Sequence, residues 1–530
     1  MGLITVVIVN ELPYPFILGR DIMRRDGIII DYSKGVLKWK GKRFPLEPAP
    51  ASTHCMTFMQ GTGDAIMQCV KQNEDIYSAS GQQIGRHPDI AVRIKTNGRP
   101  VRSRPYRVPL LKREALSKKI DEMLDQNIIE RSFSPWASPV VLVPKRDDPM
   151  PRFCVDYTKL NSITIKDNYP VPLIQDVLDS VRGATIFSTL DLKSGFHQLP
   201  LHWEDMEKTA FICFRGLFHF RSMPMGLCNA TAIFQRAMEK VLEGLIGVSV
   251  QIYVDDIVVY SPDEASHVRH LQEVFERMRK YNLTLNPKKC VYGQKEVKLL
   301  GYVVGAKGHR ADPDKVSAIK DMSPPTTVKG VRRFLGMTSY YRSCMPNYAH
   351  ISEPLARMTR KHVQFSWDDE KQESFQKLKD LLVSDAIMAH PRTDKPYILY
   401  VDASNIALGA ILVQKEEGTG IERPVSYMSK LLSSTQRRWA AIEREGFALI
   451  TALKFFRPYL YSADFVALTD HKPLVSSLAA AKGKAAACPG HQCIAAEASC
   501  PACPDTLPPC NDQEISSAPK KGQNTPERCR

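Results

Sequence analysis

The 530-residue chain contains no run of roughly eighteen apolar residues, the length a helix needs to cross a bilayer, and this argues against a membrane span. Its opening Met1-Gly2-Leu3-Ile4-Thr5-Val6 lacks a basic n-region and is soon followed by Glu11, so it does not read as a secretory signal. Thr5 also falls one place too early for N-myristoylation. Paired cysteine spacing is missing from residues 1–478, where seven cysteines lie scattered as reduced intracellular thiols do. Acidic side chains are the minority charge: 57 Asp and Glu against 72 Lys and Arg leave a net +15. That excess points to a polyanionic partner, with nucleic acid the first candidate.

What is present is a soluble globular composition, 43% apolar and 24% charged, with room for roughly three or four domains. Residues 1–45 read as short strands at Leu3–Val9, Phe16–Asp21, Ile28–Asp31 and Val36–Trp39. Residues 46–92 mix Pro, Gly, Ser and polar residues without a period and read as linker. A basic, proline-punctuated stretch follows, with Arg93, Lys95, Arg99, Arg102, Arg104 and Arg107. An amphipathic helix then sets Leu116, Ile120, Met123 and Leu124 on one face. From the strand Val140–Val143 to about residue 304, strands and helices alternate irregularly, an α+β pattern. Residues 312–390 look mainly helical, and a second α/β unit starts at Tyr397. The tail, 479–530, is rich in Ala, Pro, Cys and Lys without periodicity and is expected to be disordered.

The most informative feature is an apolar run broken by two adjacent carboxylates, Ile252-Tyr253-Val254-Asp255-Asp256-Ile257-Val258. Burying them unpaired between β-branched strands is costly, so they are expected at a tight turn where they can hold a cation. Asp191 ends another strand-like run, and three converging acids would make a two-metal site for in-line phosphoryl transfer. Hard oxygen ligands suit Mg²⁺. In order along the chain stand Ser138-Pro139-Val140-Val141-Leu142-Val143, Cys154-Val155-Asp156-Tyr157, Thr189-Leu190-Asp191-Leu192, Met223 to Phe234, Tyr253-Val254-Asp255-Asp256 and Leu300-Gly301-Tyr302. This series resembles the reverse transcriptases of gypsy-type LTR retrotransposons over roughly 93–478.

The resemblance implies a right-hand polymerase, with fingers and palm in 93–304 and thumb and connection in 305–390. It implies that Asp191 and Asp255 ligate metal directly, with Asp256 supporting them. Lys145, Arg152, Leu192 and Phe196 match residues around the incoming nucleotide. On bare sequence Lys145 also fits a solvated hairpin, and Phe196 fits either a core ring or a steric gate against ribonucleotides. Where the family usually has proline, this chain has Thr231, a change expected to alter a turn. Lys329, Arg332 and Arg333 form a basic stripe beside Val328, Val331 and Leu335. That stripe is either a solvated face or a thumb surface gripping the phosphates of a primer–template duplex.

A second acidic set follows: Asp402 ends the strand from Tyr397, Glu445 lies on a helix whose inward face carries Ile442, Leu449 and Ala452, and Asp470 ends a third strand. This order resembles the RNase H domain that follows reverse transcriptase in these elements, here a partial α/β domain over 391–478. Its substrate would be an RNA–DNA hybrid. The match stops after Leu478; Asp505 and Asp512 do not replace the family's fourth acid, so a weakened nuclease is expected. Phe16-Ile17-Leu18-Gly19-Arg20-Asp21 resembles the closing segment of a retroviral-type aspartic protease, but no Asp-Thr/Ser-Gly motif accompanies it, and 1–45 reads as a remnant. In the tail, Cys488, His491, Cys493, Cys500 and Cys503 fit a zinc knuckle or a disordered extension.

The implied activity is RNA-directed DNA synthesis from deoxynucleoside triphosphates. It would need two Mg²⁺ per active site, with Mn²⁺ as a substitute, an RNA template and a DNA primer. The implied location is intracellular, in a cytoplasmic element particle with the nucleus as a second site. The competing reading is a decayed nucleic-acid-binding remnant, and the oligomeric state is left open.

Overall fold

The computed structural model describes residues 29–31, 36–39, 42–45, 63–77, 84–143, 152–384, 386–476, 487–488 and 491–496, within two compact units, 1–57 and 58–530. In the first unit, strands Ile29–Asp31, Val36–Trp39 and Lys42–Pro45 form an antiparallel meander with Ile30 opposite Leu37 and Lys38 opposite Arg43. The expected strands Leu3–Val9 and Phe16–Asp21 lie outside the described residues.

In the second unit the stretch read as linker departs from expectation. Residues Asp64–Gln72 form a helix and Glu74–Ile76 a 3₁₀ turn, burying Ile66, Cys69, Val70, Ile76 and Tyr77. The apolar i, i+3, i+4 set spans too few turns to stand out among its polar neighbours. Arg279 donates to both Asp75 oxygens at 2.6 and 2.8 Å, and the Tyr77 and Tyr292 hydroxyls are hydrogen-bonded, so this segment is part of the palm.

The palm sheet runs Val250–Tyr253, Asp256–Ser261, Ile186–Leu190, Val291–Gln294, antiparallel throughout. Ile257 to Ser261 are buried without interruption, which explains an apolar run lacking strand alternation. Helix Glu264–Lys280 packs on this sheet and is capped by Asp263, which accepts from Ser266 N at 2.9 Å. The fingers sheet orders Ile129–Arg131, Gly216–Phe220, Phe211–Cys213, Ser138–Val143 and Arg152–Val155.

A third sheet, Glu296–Leu299, Tyr302–Gly305 and Gly308–Ala311, spans the expected border at 304/305, which therefore cuts a strand. Helices Pro313–Lys320, Val328–Ser339, Tyr348–Met358 and Asp369–Val383 follow. No helix among the described residues is long and apolar enough to cross a membrane.

The C-terminal sheet orders Glu422–Leu431, Ala407–Lys415, Tyr397–Ala403, Phe465–Thr469, His491–Ala496 and Ala487–Cys488. Tyr397–Ala403 and Phe465–Thr469 are parallel. Helix Ala441–Phe455 packs on this sheet with Glu445, Ala448, Leu449 and Ala452 buried. Ile442 does not belong to that inward face: it is 38% exposed, on the first helical turn. The tail also differs from the expected disorder, because 487–488 and 491–496 pair as a hairpin against Phe465–Thr469. Cys500, Cys503, Asp505 and Asp512 lie outside the described residues.

The thumb and this last sheet share packing. Tyr427 lies against the large core of palm and thumb, while Val425 and Met428 of the same strand belong to the C-terminal core. Ala349 N donates to Ser429 Oγ at 3.0 Å, and Arg437 meets Glu353 at 3.1 Å. His309 and Met388 exchange two backbone hydrogen bonds of 2.9 and 2.8 Å, at a place where a Cβ on Gly308 would lie 2.0 Å from Met388 O. Gly308 also holds φ at +139°, a conformation that side chains disfavour.

Gly308→Ala is therefore expected to destabilise by on the order of 2 kcal/mol, seen as a lower Tm. Gly336→Ala, on a helix with open space around it, should leave Tm unchanged or raise it slightly. Equal Tm for the two variants would show that the Gly308–Met388 approach is not tight in solution.

Candidate functional site

Two acidic sites sit at strand ends. In the palm, Tyr253 pairs with Asp256 across a two-residue turn, Val254-Asp255, so both acids leave the apolar run at the expected turn. Ile257 pairs with Leu190, and the register carried one step further sets Asp191 beside Asp256. Asp191 is held through its backbone, with Asn286 N donating to its carbonyl at 2.8 Å.

The turn is strained. Val254 is β-branched and has φ +54°, where such residues are outliers. Its N–H donates to Gln235 Oε1 at 2.7 Å, and Gln235, 1% exposed, donates in turn to Glu239 at 2.8 Å. Gln235, which is not among the residues expected at the site, thus fixes the turn. The signal was a glutamine beside Phe234 on the buried face of helix Ala230–Val241. Thr231 lies in that helix's first turn, where proline is tolerated, and the helix forms without it.

Lys289 was missed as well: its ammonium lies 3.1 Å from Asp191 Oδ2. Partial desolvation, then the neighbouring Asp191 and Asp256, push Asp255 up to about 6. Asp256 is raised by the same burial and by Asp191. Like charges so gathered favour a proton or a cation.

Around the palm acids, Leu192 is buried. Phe196 is 9% exposed, its ring centroid 5.0 Å from that of Phe234, so the ring is a core contact at least on one side. Arg152 is exposed at the start of its strand, opposite Val143, and Lys145 lies outside the described residues. Lys329, Arg332 and Arg333 are exposed on helix Val328–Ser339, whose Val331 and Phe334 are buried, while Val328 and Leu335 are half-buried. Arg332 also donates to Thr359 O at 3.0 Å.

The second site is tighter. One oxygen each of Asp402, Glu445 and Asp470 lies within 4.8 Å of the others, the one such group among the described residues. Asp402 and Asp470 are exposed, whereas Glu445 is 7% exposed and its Oε2 is buried without a partner. Burial, then Asp402 and Asp470, push Glu445 up to about 7. An orphaned buried oxygen facing two further carboxylates fits a hard divalent cation. A cavity of about 330 Å³ borders Asp402 and Asp470.

Residues 143–304 match the family "Reverse transcriptase (RNA-dependent DNA polymerase)", and residues 367–467 match "RNase H-like domain found in reverse transcriptase". The chain is 37% identical over 498 residues to the retrovirus-related Pol polyprotein from transposon opus of Drosophila melanogaster, covering 89% of this chain and 49% of that one. It is 32% identical over 490 residues to the one from transposon gypsy of the same organism, covering 87% and 47%. The chain thus spans about half the length of these curated relatives. Among solved structures, a foamy viral protease-reverse transcriptase in complex with double-stranded DNA has a TM-score of 0.70 at 20% identity, over 76% of this chain and 71% of that one. Another, in complex with an RNA/DNA hybrid, has a TM-score of 0.69 at 18% identity, over 84% and 64%. At such identities the likeness is one of fold.

The raised carboxyls predict a pH effect on the metal-free protein. Asp255 and Glu445 bind protons more tightly folded than unfolded, where 3.8 and 4.5 apply. Stability contributed by their protonation is therefore lost as pH rises from about 4 through 6 and 7. Glu445→Gln should raise Tm at pH 8 and have little effect near pH 4. An unchanged Tm at pH 8 would show that the three acids do not crowd one another.

Proposed function

This chain belongs to the retrovirus-related Pol polyproteins of transposons, carrying a reverse transcriptase domain and then an RNase H-like domain, and from that premise we propose that it copies RNA, and then DNA, into DNA from a primer. The observation that carries the reading is the meeting of Asp255 and Asp256, on a strained turn, with Asp191 at the end of the adjoining strand. Mg²⁺, with Mn²⁺ as a substitute, would supply Lewis acidity for the attacking 3′-hydroxyl and the leaving pyrophosphate. Asp191 and Asp255 hold it and Asp256 supports them, while Gln235 keeps Val254 in the conformation that aims Asp255 outward.

Lys145, Arg152 and Leu192 surround the incoming deoxynucleotide, and Phe196 narrows the space at its sugar. The stripe Lys329, Arg332 and Arg333 grips phosphates of the product duplex. Asp402, Glu445 and Asp470, which come together within 4.8 Å, cleave the RNA strand of a hybrid, and theirs is the weaker of the two activities. Partners are then RNA template, DNA primer and deoxynucleoside triphosphates. The setting is a cytoplasmic particle and, later, the nucleus.

Primer extension on an RNA template tests the polymerase. Asp255→Asn should lower nucleotide addition by at least about a hundred-fold, with primer–template affinity within a few-fold of wild type. Equal extension by both proteins would sink the site. Hybrid cleavage is expected to be slow beside extension in the same preparation and to disappear in Asp402→Asn. Cleavage that survives this change would place the nuclease elsewhere or in a contaminant.

A further inference from the structure

A cavity of about 1010 Å³ lies at the seam where the palm, the third sheet and the C-terminal domain meet, and no acid of either cluster above borders it. Arg182 and Gly183 reach it just beyond palm helix Ile174–Ser180. Ala306 and Lys307 reach it from the turn between Tyr302–Gly305 and Gly308–Ala311. From the C-terminal side come the segment 387–395, which leads into strand Tyr397–Ala403, and the end of strand Ala407–Lys415. The volume is at the upper end of what small-molecule sites occupy, roughly 300–1,000 Å³.

Six side chains around this cavity are cationic and three are acidic. The acids all belong to the C-terminal side and neutralise their neighbours there. Arg392 meets Asp394 at 2.6 Å, Lys395 meets Glu417 at 3.0 Å and Arg423 meets Glu416 at 3.1 Å. That leaves Arg182, Lys307 and Lys415, one from each of three elements, exposed and without an ion pair to any described residue. The wall that carries them is already fixed. Gln414, 5% exposed, donates to Arg392 O and Lys395 O at 2.7 and 3.0 Å and accepts from Arg392 N at 2.8 Å. His390 Nε2 donates to Gly305 O at 2.9 Å, beside the turn that bears Lys307. Arg182 Nη1 donates to Thr393 Oγ1 at 3.3 Å, which holds the guanidinium at the seam, and the Tyr459 hydroxyl donates to Asp179 Oδ2 at 2.6 Å close by.

Like charges brought from separate elements to one cavity are relieved by an anion among them, and donors fixed in advance lose little freedom on binding it. A singly charged anion would leave most of that charge unmet. A nucleic-acid strand would have to pass Asp394 and Glu417, acids 60% and 78% exposed beside the same cavity. A compact ligand with several phosphates meets the cations and avoids the acids. We infer that the seam cavity binds a small polyphosphate, either an inorganic chain or the phosphate tail of a nucleotide, through Arg182, Lys307 and Lys415. Bound there, it bridges palm, third sheet and C-terminal domain and braces the three together. Such binding needs neither metal nor primer.

Calorimetric titration of the full chain with sodium tripolyphosphate and with adenosine triphosphate tests this, in EDTA so that the palm holds no metal. Both should bind more tightly than orthophosphate, and each should raise Tm once its concentration exceeds its Kd. Tighter binding of adenosine triphosphate than of tripolyphosphate assigns the site to a nucleotide; the reverse, or equality, assigns it to an inorganic chain. The triple variant Arg182→Ala, Lys307→Ala, Lys415→Ala should keep the Tm of the unliganded protein, since all three side chains are exposed, and weaken tripolyphosphate roughly ten-fold or more. Lys307→Glu alone, on its exposed turn, should weaken it too. A control variant, Lys71→Ala, Lys320→Ala, Lys454→Ala, removes as much charge from exposed positions elsewhere and should bind as wild type does. Hydrogen exchange at 387–395 should slow with tripolyphosphate in wild type and not in the seam variant. Equal weakening by the two triple variants, or none by either, overturns the site. So does a wild type that ignores tripolyphosphate while the seam variant loses affinity for a single-stranded oligonucleotide, which would make the seam a nucleic-acid surface.

Discussion

Crowded negative charge is the constraint around which the palm is built. Asp255 lies in a turn, Asp256 opens the strand after it and Asp191 follows the end of the adjoining strand, and their repulsion would be relieved by moving apart. The fold denies them that. Uninterrupted burial from Ile257 to Ser261 fixes the strand, while Gln235, itself buried, holds Val254 in a backbone conformation that valine disfavours. Among the described residues, charge is compensated by the Lys289 ammonium on Asp191. The strain and the repulsion together describe a site that is less comfortable empty than it would be with a cation in it.

The three acids of the C-terminal domain, Asp402, Glu445 and Asp470, meet the same problem by a different route. Two are exposed at strand ends, and the third comes from the buried side of a helix, so helix packing holds it in place as a tight turn holds the acids of the palm, at the cost of its desolvation. In both places the apolar scaffold is ordinary, and the cost of holding carboxylates together falls mainly on backbone and packing, with Lys289 relieving part of it in the palm.

Much of this was legible in the sequence, for identifiable reasons. The palm acids stood out because charge interrupted an unbroken β-branched run, and Glu445 because it lay on an apolar stripe. The helix Asp64–Gln72 was missed because two turns of period are lost in polar surroundings, and Ile442 was misjudged because periodicity does not say where a helix overhangs its sheet. Gln235 showed only as a glutamine on a buried helix face, without its partner, and Lys289 acts on an acid distant in sequence, which no local pattern encodes. The border at 304/305 coincides with the end of the matched reverse transcriptase region yet falls inside strand Tyr302–Gly305, because sheet pairing on both sides does not show in a local pattern.

The segment 63–77 bears on how such a chain is divided. A polymerase piece begun at residue 93 would take Asp75 from Arg279 and leave the deeply buried hydroxyl of Tyr292 without the phenol of Tyr77. It would also uncover the groove that Ile66, Cys69 and Val70 fill beside helix Glu264–Lys280. The working unit of the palm is therefore discontinuous with its sequence motifs. A piece trimmed to the motifs would keep all three acids of the palm cluster and lose part of the floor beneath them.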